Sequence, residues 1–180
     1  IHGIITHGGD AANVVPKYAA ARMYIRAASR DHLEDLVEQV NNIARGAALM
    51  TGCEVKIEED NTCYDMRPSY VIGAAYQANA EEVGLWGSGG RKGRGMHSTD
   101  FGNVSYKVPS VTLSFAISQE PIPGHSQQVV DASGSEFGYE QFIKAATAQA
   151  LTAFDILTDQ TLSLKAWDEH RSWSARYERS

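Results

Sequence analysis

The segment that most constrains the fold is residues 17–28, where the side-chain pattern repeats every second residue. Ala19, Ala21, Met23, Ile25 and Ala27 fall on one face of an extended chain, and Tyr18, Ala20, Arg22, Tyr24 and Arg26 fall on the other. A period of two predicts a half-buried strand with two arginines on its open face. The period then changes to helical. Ser29 suits a cap and Asp31 a first turn. Leu33, Leu36, Val37, Val40, Ile43, Ala44 and Ala47 keep helical spacing as far as Gly52, which predicts a helix over 31–51. Upstream, the β-branched run 1–6 reads as a strand broken by His7-Gly8-Gly9-Asp10. Downstream, Cys53, Val55 and Ile57 alternate with charges, so a third strand is expected over 53–58. The order strand, strand, helix, strand predicts an α+β half-sheet covered on one face.

After Asp60 the pattern changes. A helix is expected over 68–83, with Pro68 in its first turn. A glycine-rich loop follows over 85–95. Residues 104–117 hold two short β runs broken at Pro109, and Pro121-Ile122-Pro123-Gly124 makes a rigid turn. A strong amphipathic helix is expected over 137–157. Another follows Asp159 and carries Leu162, Leu164 and Trp167; the charged tail from Glu169 is expected to fray. The 180 residues, 43% of them hydrophobic, suffice for one core or two small ones.

Charge and composition exclude some classes of function. The net charge is −6, and phosphate binding needs clustered Lys and Arg, so nucleic acid is a poor partner. The one basic cluster, Arg91, Lys92 and Arg94, reads as a solvated loop. No apolar run approaches the roughly 18 residues of a membrane span. Cys53 and Cys63 are too few for a disulfide framework, and free thiols in a reducing, cytoplasmic compartment are expected. The chain begins with Ile1 inside a strand-like run, so it reads as part of something longer.

Several motifs each admit two readings. The loop 7–16 joins two strands; its glycines turn the chain and Asn13 satisfies backbone groups. Alternatively, Asn13 and Arg26 present an amide and a guanidinium to one cleft, where the planar arginine fork suits a carboxylate. His97-Ser98-Thr99-Asp100 is too local for a catalytic triad, whose members converge from distant segments, and reads as a turn with Asp100 as a cap. Pro123-Gly124-His125-Ser126 presents a histidine on a rigid turn. A metal site needs three or four ligands, and the sequence has no His-x-x-x-His or Cys-x-x-Cys to help. The run Gly87, Gly89, Gly90, Gly93, Gly95 lacks the Gly-Lys-Ser/Thr ending of a phosphate loop.

In order, GGDAANVVPKYAAARMYIRA, HSTDFGNVSYKVPS and PGHS resemble the second half of a zinc amidohydrolase and metallopeptidase family. That family includes aminoacylase, glutamate carboxypeptidase, desuccinylase and aminobenzoyl-glutamate hydrolase. The similarity is greatest to the branch of aminobenzoyl-glutamate hydrolase and the peptidase domain-containing dipeptidases. It covers residues 1–157, and STDFGNVS is its most specific part.

The resemblance implies a lid, or dimerisation, domain inserted into a zinc-binding α/β catalytic domain. Residues 1–59 would be the back part of the lid and 60–180 the carboxy-terminal part of the catalytic domain. Asn13 matches a lid asparagine that touches substrate, and Arg26 stands where relatives carry a carboxylate-binding arginine. Ser98 belongs to a loop, 98–100, that lines the cleft, although His97 replaces a glycine common in relatives. His125 matches the last metal-ligand histidine. The resemblance places the family's first histidine ligand, bridging aspartate and Glu-Glu pair in an amino-terminal half that has no match in these 180 residues.

The expectation is therefore a fragment of a hydrolase of short dipeptide-like or N-acyl amino acid substrates. The intact enzyme would hold two zinc ions, or other divalent metals, and form a homodimer through the lid. The general base lies outside the chain, so the 180 residues alone are expected to be inactive. The alternative is a non-catalytic binding or dimerisation module.

Overall fold

The computed structural model describes residues 1–87 and 99–177. The chain divides into two units, Ile1–Asp65 and Met66–Ser180. Among the described residues it is helix-rich with one small sheet, an α+β arrangement.

In the first unit, β1 (His2–His7) and β2 (Ala20–Tyr24) pair antiparallel, with Gly3 opposite Met23 and Ile4 opposite Arg22. The ladder slips between Ile5 and His7. A Cβ on Gly3 would lie 2.0 Å from the sulfur of the exposed Met23 side chain, which is flexible enough to move aside. The helix α1 (Arg30–Thr51) begins after Ser29. Ser29 makes no side-chain cap; the Arg30 N–H donates instead to Asp65 Oδ1 at 2.8 Å. At the other end Gly52 adopts φ 68°, the left-handed conformation that a glycine takes without penalty, and Cys53 N–H donates to Ala48 O at 3.0 Å.

Three expectations for this unit are corrected. The second strand is shorter than 17–28, the third strand over 53–58 does not form among the described residues, and α1 does not cover the sheet. β1 is exposed along its whole length, and Ala20 is the only residue of β2 that is not fully exposed. The physical reason is common to all three. Alternation marks a surface suited to half-burial, but a strand exists only where a neighbour completes its ladder, and a two-stranded ribbon is too narrow to bury a helix face.

The second unit is helical. It contains α2 (Tyr70–Glu82), α3 (Phe101–Ser105), α4 (Gln127–Ser133), α5 (Glu136–Thr158) and α6 (Gln160–Tyr177). α2 packs on α5 and α6 around Tyr76, Ala80, Leu85, Ala145 and Ala148, with Val83, Leu113 and Phe115 against them. Ala80 and Ala148 are fully buried, and small residues there let the helices approach closely. Burial pushes the Tyr76 hydroxyl pKa up. Polar bonds cross the same interface: Asn79 Nδ2 donates to Thr152 Oγ1 (3.1 Å) and Asp155 Oδ2 (2.8 Å), and Trp86 N–H to Gln141 Oε1 (2.7 Å).

Serines cap three of these helices. Ser69, Ser126 and Ser135 accept from Ile72, Val129 and Gly138 N–H. Asp159 Oδ1 does the same for α6, accepting from Thr161 N–H at 2.8 Å. Two further expectations fail in this unit. The segment 104–117 forms no strand; it opens in α3 and then makes a single parallel bridge, Ser110 to Pro68, with Ser69 N–H donating to Ser110 O at 2.8 Å. Residues 169–177 do not fray, because α6 continues to Tyr177 and the Glu169 and His170 side chains are both bound.

Candidate functional site

Asn13 and Arg26 belong to the first unit. Asn13 is exposed in the loop between β1 and β2, inside a turn closed by Val14 N–H on Ala11 O at 3.2 Å. The His7 and Tyr18 rings meet at a tilt of 58° at the base of this loop, with centroids 5.6 Å apart. Gly9 adopts φ 103°, and a Cβ there would lie 3.1 Å from the Pro16 ring. The loop conformation therefore depends on glycine. Arg26 is exposed just beyond β2, while Ile25 and Ala27 on either side are half-buried. The expected strand phase persists there, with the guanidinium on the open side. A groove in this unit runs along α1, past Leu33, Glu34, Glu38, Arg45, Glu59 and Tyr64, and includes neither Asn13 nor Arg26.

The Lys56–Glu58 pair is a solvated ion contact. The hydrogen bond and charge of Glu58 raise the lysine pKa, and those of Lys56 lower the glutamate pKa. Both groups are exposed, so the pair does not form a buried acid–base couple.

His125 belongs to the second unit, one residue before the cap of α4. It is exposed and adopts φ 54°. Left-handed backbone costs a residue with a side chain roughly 1–2 kcal/mol. Ser126 holds the turn rigid, since its hydroxyl donates to Pro123 O at 2.7 Å and accepts from Val129 N–H at 3.4 Å. Strain at a non-glycine residue is a feature of sites that aim a side chain. Among the described residues no three His, Cys, Asp or Glu groups come together as a metal site. His125 is a single donor.

Ser98 and His97 lie outside the described residues. From Thr99 the chain is described again: Thr99 Oγ1 accepts from Phe101 N–H at 3.3 Å, and its carbonyl accepts from Gly102 N–H at 3.2 Å. Asp100 occupies the cap position of α3 but makes no side-chain cap bond; Thr99 supplies it.

A second cluster, which no sequence motif announces, joins α6 to the starts of α2 and α3. The Glu169 carboxylate accepts from Ser69 Oγ (2.6 Å), Tyr70 N–H (3.0 Å) and Val71 N–H (3.4 Å). The Arg67 guanidinium lies 3.6 Å from the Tyr106 ring centroid and 5.9 Å from that of Trp173. Arg67 N–H donates to Ser105 Oγ at 2.9 Å, and that hydroxyl donates to Gly102 O at 2.6 Å. His170 Nε2 bonds Ser105 O at 3.2 Å; a carbonyl only accepts, so Nε2 carries the proton. The partners are up to 100 residues apart in sequence. The one local signal is Ser69 beside a helix start.

No family model matches the chain. Single relatives do. The chain is 35% identical to the Xaa-Arg dipeptidase of Mus musculus over 167 aligned positions, covering 87% of the chain and 37% of the relative. It is 33% identical to the Homo sapiens Xaa-Arg dipeptidase over 167 positions, covering 87% and 36%. It is 24% identical to one of the subunits of the p-aminobenzoyl-glutamate hydrolase of Escherichia coli (strain K12) over 226 positions, covering 95% and 47%. The chain thus spans between about a third and a half of the length of these curated relatives. It belongs to the amidohydrolase and dipeptidase family that holds them.

Proposed function

We propose that the chain is part of a metal-dependent amidohydrolase that cleaves the amide bond of short dipeptide-like or N-acyl amino acid substrates. The observation that carries this reading is the similarity to two Xaa-Arg dipeptidases across 87% of the chain. In the proposal residues 1–59 contribute to a lid and 60–180 to the catalytic domain, and two copies pair through the lid in the cytoplasm. Arg26 holds the substrate carboxylate with its planar fork, Asn13 bonds a substrate carbonyl through its amide, and Ser98 lines the cleft. The exposure of Asn13 and Arg26 supports these roles, since both residues are open to solvent.

The expected metal is zinc, two ions in the intact enzyme, which polarises a scissile carbonyl. The described residues do not make that site by themselves: they offer His125 as one donor and no group of three. What this chain supplies is an imidazole carried on the backbone turn that Ser126 fixes, with the remaining ligands and the general base outside it.

His125→Gly in the full-length protein tests the assignment. Glycine relaxes the left-handed backbone at His125, and this offsets its own entropic cost of roughly 0.5–1 kcal/mol. The melting temperature is therefore expected to stay close to wild type. Metal analysis should show about one ion fewer per subunit, with turnover nearly abolished. Full metal occupancy with normal turnover would refute the ligand role.

A further inference from the structure

We infer that α6 sets the position of the segment opening α3, Thr99–Asp100, with His170 and Arg67 as its positioning residues. The functional half of this inference rests on the proposal that the loop 98–100 lines the substrate cleft.

α3 is five residues long, too short to hold itself by its own hydrogen bonds. Its placement must come from its neighbours, and those contacts converge on one residue. Ser105 is fully buried, and its hydroxyl and carbonyl are both used. The hydroxyl ties α3 internally to Gly102 O and externally to Arg67 N–H. The carbonyl takes the His170 bond from α6. Tyr106, directly after α3, lies under the Arg67 guanidinium. The His170 ring is in turn set edge-on by Trp167, with centroids 5.7 Å apart. The neighbouring Glu169 is bound to the first turn of α2, so the stretch of α6 that reaches Ser105 is itself anchored.

This places a rigid single turn between the anchor at Ser105 and the turn at Thr99 and Asp100. A shift at one end is carried to the other, because Gly102 and Asn103 N–H both bond back to Thr99 and Asp100 carbonyls. Misplacing a binding group by about 1 Å costs an enzyme up to about a hundredfold. The cluster acts through the α3 turn, so its role is positioning and not catalysis.

The test compares His170→Phe and His170→Gln in the full-length protein. Phenylalanine keeps an aromatic ring against Trp167 and removes the donor, whereas glutamine restores an N–H donor. Hydrogen exchange is followed for residues 99–106 and, as a control, for 136–158, with KM and kcat measured on a dipeptide. Losing one ordinary hydrogen bond should speed exchange over 99–106 about fivefold and leave 136–158 unchanged. KM should rise by a similar factor with kcat little changed, and glutamine should recover both. Unchanged exchange, or an equal rise in both segments, would overturn the anchor. Faster exchange over 99–106 with an unchanged KM would overturn the functional half, and Asp100→Ala then identifies the failure. If Asp100→Ala raises KM, the link between α3 and the cleft is wrong. If it does not, the cleft reading itself is wrong.

Discussion

Three donors converge on the Glu169 carboxylate at the start of α2, where unbonded N–H groups and the helix dipole both favour negative charge. The side chain is half-buried, so these bonds are partly shielded from water. Glu169→Ala is expected to cost about 1–2 kcal/mol of stability by denaturant titration, and Glu169→Gln less, because an amide oxygen still accepts. A change under about 0.3 kcal/mol in the alanine variant would mean that water replaces the carboxylate without loss. His125 shows a different limit of residue-level reading. The Pro-Gly pair marks a turn in the sequence, and glycine is the residue expected to take positive φ. The structure gives the positive φ to His125 instead, and not to Gly124. Asn13 and Arg26 were legible as exposed polar groups on a loop and an open strand face. The structure keeps both residues exposed.

Helices were legible because their signals are local. Asp159 and Gly52 mark ends within a turn or two of the residues they serve, whereas Pro68, expected in the first turn of α2, stands one residue before its Ser69 cap. α4 was not legible: the cap of Ser126 lies next to the Pro-Ile-Pro-Gly turn, and seven residues give too little periodicity to register. The α4–α5 junction yields a sharp expectation. A Cβ on Gly138 would come within 2.3 Å of Ala132 O, a backbone atom. Gly138→Ala should therefore destabilise by about 1–3 kcal/mol. Gly46, inside α1, has nothing within 4 Å of such a Cβ. Gly46→Ala should stabilise by up to ~1 kcal/mol through helix propensity. Thermal melts of the two variants should move in opposite directions; a loss in both would mean that Gly46 serves a contact outside this chain.

At the scale of the molecule, much apolar surface is uncovered. Ile4, Ile5, Met23 and Tyr24 are exposed on the sheet, and Leu49 and Met50 project from α1 at 85% and 83% exposure. On α5, Tyr139, Phe142, Ile143, Phe154 and Leu157 are exposed on the sides away from the buried Ala145 and Ala148. A helix apolar on opposite sides normally lies inside a larger core. The core in hand is thin, with one leucine, one tyrosine and three alanines at its centre. The isolated chain is therefore expected to melt broadly, bind hydrophobic dye and hydrolyse no acyl amino acid or dipeptide with zinc added. A sharp, high-temperature transition in a monomer would contradict the first expectation, and metal-dependent turnover the last.

The sequence by itself determined the long helices, the boundaries at Gly52 and Asp159, the first strand and the family, because each follows from residues close together along the chain. It also carried the alternation of 25–27, which the structure keeps as Arg26 out and Ile25 and Ala27 in. Tertiary structure alone decided which alternating segments become strands, because a strand needs a partner edge and 53–58 has none among the described residues. It alone brought Glu169 and His170 to Ser69 and Ser105, 100 and 65 residues away. Periodicity specifies the face a residue presents; which distant face meets it is set by packing, and that choice governs both the missing strand and the α6 anchor.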